Sequence, residues 1–209
     1  MMNMMGKYRV ILFDIDNTLW DETPIIKMRE QIFRNANVND ALLNQWTSEL
    51  ISEKGFYSWQ DIFKKIGEDY LALLKENKDK IKPFPDTISA LEKINETYKI
   101  GYVTDGNRRD TDYKLECLGI KEFAEVVITT QESKSMKPSP KSIQMALQYM
   151  DTSNDNALYV GDRLSDVETA KNAKVDSALV YRKSQRPKIN ANPTILVKDL
   201  LELADKLSL

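Results

Sequence analysis

The chain contains no histidine, a single cysteine, and only seven glycines and seven prolines in 209 residues. Without imidazole, any proton transfer near neutral pH falls to carboxylates, lysines, tyrosines or the thiol, and histidine metal sites are excluded. The lone Cys117 excludes an intramolecular disulfide and fits a reducing compartment. It lies in a helical pattern, Asp112 to Leu118, closed by Gly119, which reads as a small buried side chain rather than a nucleophile. Long apolar runs are missing too. No stretch is long enough to span a bilayer, and the Met-rich start has neither an apolar core nor a small-residue cleavage site. The expectation is a soluble cytoplasmic protein with no membrane partner. An excess of charge is also absent, because 30 basic residues face 32 acidic ones for a formal charge of −2. No basic field is available to recruit nucleic acid. The length suits one good core with room for a smaller accessory domain.

What is present is concentrated at the ends of predicted strands. Phe13-Asp14-Ile15-Asp16-Asn17-Thr18-Leu19 follows an apolar, β-rich run from Tyr8 to Leu12. Two carboxylates thus emerge where a buried strand ends, the place where open α/β sheets bind ligands. Carboxylates so placed make sense if a cation lies between them and an anionic substrate. Downstream, Thr104-Asp105-Gly106-Asn107 ends a second apolar strand and Lys137-Pro138 opens a third region. Gly161-Asp162-Arg163-Leu164-Ser165-Asp166 ends the strand Ala157 to Val160. Between Pro24 and about Lys80 the periodicity is helical and predicts three or four helices. The prolines of Ile81 to Asp86 then stiffen the return. From Thr87 onward helices and strands alternate, ending in a predicted helix from Leu196 to Leu207. That alternation argues for a doubly wound parallel sheet with helices on both faces.

In this order and context the four segments resemble the haloacid dehalogenase-like (HAD) hydrolase superfamily, most members of which are phosphatases. The resemblance runs from Tyr8 to about Tyr181, with Trp20 to Lys82 matched only in general character, and Asp105 stands where many relatives have Asn. It implies a Rossmann-like α/β core, residues 1–19 and 83–209, and a small α-helical cap domain, residues 20–82. It further implies that Asp14 is a nucleophile forming an aspartyl-phosphate, and that Asp16 protonates the leaving oxygen and later activates water. Thr104, Asp105 and Lys137 would face the phosphoryl group, with Thr104 and Lys137 also serving catalysis. Mg2+ would be held by the Asp14 and Asp162 carboxylates and the Asp16 carbonyl, with Asp166 and Thr18 supporting from behind. The partner implied is a small phosphorylated metabolite.

Each residue has a plainer reading. Thr18 would merely tie down its loop, Lys137 would be an ordinary exposed lysine, and Asp162 and Asp166 would cap the following helix. Arg108 and Arg109 would touch substrate or form a solvated helix face. Trp20, Phe56, Tyr57 and Trp59 would line a closed pocket or pack a helical core. Among functions, Asp16 argues against a dehalogenase, since halide needs no proton to leave, and Lys54 is a nominal imine-forming lysine for a phosphonate-cleaving enzyme. A sugar-phosphate mutase or phosphotransferase retains the same four motifs. A phosphorylation switch of the response-regulator type has its motifs in a different order, and a binding protein without turnover differs only in rate. Oligomeric state is not encoded in any feature of the sequence.

Overall fold

A computed structural model describes residues 6–182 and 192–208. The Met-rich start, residues 1–5, lies outside the described residues. Six strands form one sheet in the order β3-β2-β1-β4-β5-β6: β1 (Val10–Phe13), β2 (Lys99–Val103), β3 (Ala124–Ile128), β4 (Ala157–Gly161), β5 (Asp176–Val180) and β6 (Ile195–Val197). Every neighbouring pair is parallel. All four β1 residues are buried, as a central parallel strand covered on both faces demands. Val10 and Leu12 join the apolar cluster on one face while Ile11 and Phe13 join that on the other, the two-residue period of a strand. Full burial of one such side chain contributes about 1.5–3 kcal/mol.

Four helices follow β1: α1 (Thr23–Asn35), α2 (Asp40–Lys54), α3 (Trp59–Lys65) and α4 (Tyr70–Glu76). They supply Phe33, Phe63 and Leu74 to the same apolar cluster that receives Ile11 and Phe13. Six more helices accompany the sheet: α5 (Thr87–Asn95), α6 (Arg108–Leu118), α7 (Thr130–Ser133), α8 (Lys141–Tyr149), α9 (Leu164–Ala173) and α10 (Leu200–Leu207). The chain therefore winds first to one side of β1 and then to the other. A crevice opens at the carboxyl end of β1, where the strand order reverses.

The C-terminal helix begins later than the sequence predicts. Ile195, Leu196 and Val197 pair with β5 as a sixth strand, and only Leu200 onward is helical. The reason is local: Asp199 caps α10 by accepting from Glu202 N at 2.8 Å, and β-branched Ile195 and Val197 bury into the sheet edge. No described helix is long and apolar enough to cross a membrane.

Candidate active site

The floor of the crevice is built from strand ends. Asp14 N donates to Val160 O at 2.8 Å, which extends the β1–β4 ladder by one residue and fixes where the Asp14 side chain emerges. Asn17 then takes a left-handed turn at φ 62°, a conformation asparagine tolerates well. The turn carries buried Thr18 back beneath the site, its hydroxyl 3.4 Å from both Asp14 Oδ2 and Asp162 Oδ1. Lys137 reaches in from the opposite side. Its Nζ lies 2.5 Å from Asp14 Oδ1 and 2.7 Å from Asp166 Oδ1, and its backbone N donates to Asp105 Oδ1 at 3.0 Å. Thr104 Oγ1 accepts from Gly106 N at 3.2 Å, so its hydrogen stays available to a ligand. Asp166 fits only because residue 161 is glycine, since a Cβ there would stand 2.3 Å from Asp166 Cγ.

Lys137, with Arg163 Nε at 3.9 Å from Asp162 Oδ2, does not balance this much negative charge. Ligand oxygens of Asp14, Asp162 and Asp166 lie within 4.8 Å of one another, and Asp105 is close by. Burial pushes the Asp14 carboxyl well above its ordinary range; Lys137 opposes the shift, and Asp166, Asp162 and Asp16 add to it. Asp162 is pushed up to about 6 by burial and by Asp166, against Arg163 and Lys137. Asp105 is raised by burial, with Lys137 opposing. Lys137 itself is held well above the ordinary lysine range, because Asp14 and Asp166 outweigh its desolvation. A donor set of hard oxygens without nitrogen or sulfur fits a divalent cation of the magnesium and calcium type. Asp166 already accepts from Lys137, from Tyr159 OH at 3.2 Å and from Arg163 N at 2.9 Å. Asp14 Oδ2 and Asp162 are engaged more lightly, by the long Thr18 contacts and by Arg163 at 3.9 Å, so these two carboxylates keep lone pairs for a cation.

Asp16 stands apart from that cluster. Its carboxylate takes Lys114 Nζ at 2.6 and 2.7 Å and Trp20 Nε1 at 2.9 Å. Burial raises its pKa, but Lys114 and Trp20 outweigh burial and hold it below the usual carboxylate range. Lys114 is held above the ordinary lysine range, because Asp16 and Glu22 outweigh its desolvation. The sequence reading passed over Lys114, although a signal existed. Thr111, Lys114, Leu115 and Leu118 mark the buried stripe of α6, and a lysine on such a stripe needs a buried partner.

Above the floor lies a cavity of about 200 Å³, the size for a small molecule. Tyr57, Trp59 and Tyr70 line it from the helical segment, together with Glu22 and Arg29. Trp20 is instead fully buried, and Phe56 is buried with Lys54 and Lys134 over its ring. Lys54 pairs with Asp61 at 2.8 Å and lies outside the cavity lining, so it is not presented as an imine-forming amine. Arg108 binds Glu132 and Val127 O. Arg109 joins α6 to the helical segment through Gln60 and Asp69, both at 2.6 Å. Cys117 is half-buried against the core, away from the site.

A family model described as haloacid dehalogenase-like hydrolase matches residues 11–180. The chain belongs to this family. It is 30% identical over 183 residues to the pyrophosphatase PpaX of Oceanobacillus iheyensis, covering 82% of this chain and 83% of that one. Among solved structures, the HAD phosphatase of Thermococcus onnurineus is 29% identical with a TM-score of 0.74, covering 94% of this chain and 96% of that one. A 2-haloacid dehalogenase of Pseudomonas syringae has a TM-score of 0.72 at 20% identity, over 96% of this chain and 98% of that one. That last likeness concerns the fold alone. The protein is therefore an enzyme, a HAD hydrolase on a parallel six-stranded sheet, and hydrolases of this family generally use a divalent metal.

Proposed function

We propose that the protein is a magnesium-dependent phosphatase that hydrolyses a small phosphate monoester through an aspartyl-phosphate on Asp14, with residues 20–82 acting as a cap. The observation that carries this reading is the convergence of Asp14, Asp162 and Asp166 within 4.8 Å at a strand end, with Lys137 at 2.5 Å from Asp14. Phosphate esters resist attack because the phosphorus is already surrounded by negative charge. Asp14 would attack phosphorus as the bond to the leaving oxygen breaks, and Asp16 in its acid form would give that oxygen a proton. Asp16, now a carboxylate, would take a proton from water as the water oxygen attacks phosphorus. The bond to Asp14 then breaks and phosphate leaves. The lowered pKa of Asp16 beside Lys114 suits the second step, and release from Lys114 would ready it for the first. Lys137 and the Thr104 hydroxyl would neutralise and orient the phosphoryl oxygens. Magnesium, held by Asp14, Asp162 and the Asp16 carbonyl, would supply positive charge against those oxygens.

Asp16 distinguishes this reading from dehalogenation, and the balanced charge of the chain suits a small phosphorylated metabolite in the cytoplasm rather than nucleic acid. The test is a panel of phosphate monoesters, including nitrophenyl phosphate, together with inorganic pyrophosphate. Phosphate release should require magnesium, vanish on chelation and return with magnesium, while calcium supports little turnover because its looser shell misplaces the nucleophile. Full activity after exhaustive chelation would contradict the metal assignment. Transfer to a sugar hydroxyl in preference to water would instead make the enzyme a mutase.

A further inference from the structure

Two charged side chains in the cavity wall make few hydrogen bonds to the protein, although Lys114 lies near enough to Glu22 to act on its charge. Glu22 is 4% exposed and Arg29 is 8% exposed, and both line the cavity. Among the described residues their one mutual contact is a long one, Arg29 Nη1 to Glu22 Oε1 at 3.5 Å. Glu22 directly precedes α1, but its carboxylate has no capping bond to make, because Thr23 N donates to Asp21 Oδ1 at 3.0 Å, Pro24 has no N–H, and Ile25 N donates to the Glu22 carbonyl. Arg29 lies on the buried stripe Ile25, Arg29, Phe33 of α1, and its guanidinium stacks on Trp59 at 3.6 Å from the ring centroid. Stacking covers a face of the guanidinium and leaves its edge donors to be used. Buried charges so poorly paired are expensive unless a ligand completes them.

The remaining question is what ligand suits both. An alkyl leaving group would bury both charges without partners. A second phosphate would meet Arg29, but it would also meet Glu22 and Asp110 across the same cavity. A hydroxyl donates to a carboxylate and accepts from a guanidinium, so it suits both members of the pair. We propose that Glu22 and Arg29 recognise the leaving group, and that the preferred substrate is the phosphate ester of a polyhydroxylated alcohol rather than an alkyl phosphate or pyrophosphate. This rests on the phosphatase reading above and adds the class of alcohol and the residues that select it.

The test compares glycerol 3-phosphate, propyl phosphate and inorganic pyrophosphate on the wild-type protein, Glu22→Gln and Arg29→Met. The wild-type kcat/KM for glycerol 3-phosphate should exceed that for propyl phosphate by about tenfold or more, and each variant should compress that ratio to within about threefold. Binding of the same three ligands to Asp14→Asn with magnesium, followed by calorimetry, should rank them in the same order without turnover. A wild-type preference within about threefold, or a ratio that neither variant changes, would overturn the pairing. So would pyrophosphate as the best ligand, improved further by Glu22→Gln. If no phosphate monoester of the panel is hydrolysed, the phosphatase reading fails, and the calorimetric ranking still decides whether Glu22 and Arg29 prefer hydroxyls.

Discussion

The floor and the wall of the cavity are made by different means. The floor comes from loops at the ends of β1, β2 and β4, strands whose residues are almost all buried, and its carboxylates are crowded around one lysine. The wall comes largely from the helical segment. There α2 buries none of its residues and is held by an Asn39 cap and a Gly55 left-handed end. Aromatic rings and an ill-matched charge pair face the cavity from this side. Rigid strand ends hold reacting groups to small tolerances, whereas helices on a connecting segment can differ without disturbing them. On the proposed reading, the strand ends perform the chemistry and the helical segment selects the ester, so the two roles can be separated by mutation.

The strongest way to break that separation acts on the floor. Lys137→Met removes the ammonium between Asp14 and Asp166, so kcat should fall by about 10³-fold on every ester, good leaving group or poor. Leaving those buried carboxylates without their cation should also lower stability at pH 8 by about 3 kcal/mol, read from urea unfolding without added metal. A loss confined to one class of ester would place Lys137 in selection instead.

A second prediction concerns the wall and pH. Burial and the nearby Asp16 push Glu22 up to about 7, against Lys114 and Arg29. The native state therefore holds this proton where the unfolded chain, with an ordinary glutamate pKa, has released it. Stability should be undiminished below the unfolded value, fall as pH rises through the window up to about 7, and level off above it. Glu22→Gln should remove this component. Its stability relative to wild type should rise between pH 5 and pH 8 by up to about 3 kcal/mol. A difference independent of pH would mean that Glu22 is charged at no cost.

The smallest effect should come from the rings. Trp59→Leu or Tyr57→Leu should change the ranking among phosphate esters by about tenfold and change nitrophenyl phosphate hydrolysis less. Equal losses on every ester, in a folded protein, would show that the rings serve the chemistry.

The floor was legible in the sequence because strand ends are. Apolar runs that stop at Asp14, Thr104 and Gly161 announce a crevice, and the residues that follow each run converge there. The wall was less legible because a helix brings together residues three and four apart, and its sequence does not say what its buried stripe faces. Arg29 and Lys114 both lie on such stripes, which signals that each needs a buried partner without saying which residue supplies it. Phe56, Tyr57 and Trp59 look alike in sequence, yet only the latter two reach the cavity. The strand β6 was missed because three apolar residues before a helix continue the helical pattern, and only the edge of β5 pairs them.

The central claim is that Asp14 carries the phosphoryl group while Asp16 handles protons, and trapping the covalent intermediate tests it most directly. Asp16→Asn should still be phosphorylated by nitrophenyl phosphate, whose leaving group needs little protonation, and should then stall for lack of a base. Rapid acid quench and intact-mass analysis should show one added phosphoryl group, and peptide mapping should place it on Asp14. Asp14→Asn should show none. A phosphoryl group on another residue, or Asp16→Asn turning over alkyl and nitrophenyl phosphates at wild-type rates, would contradict the account.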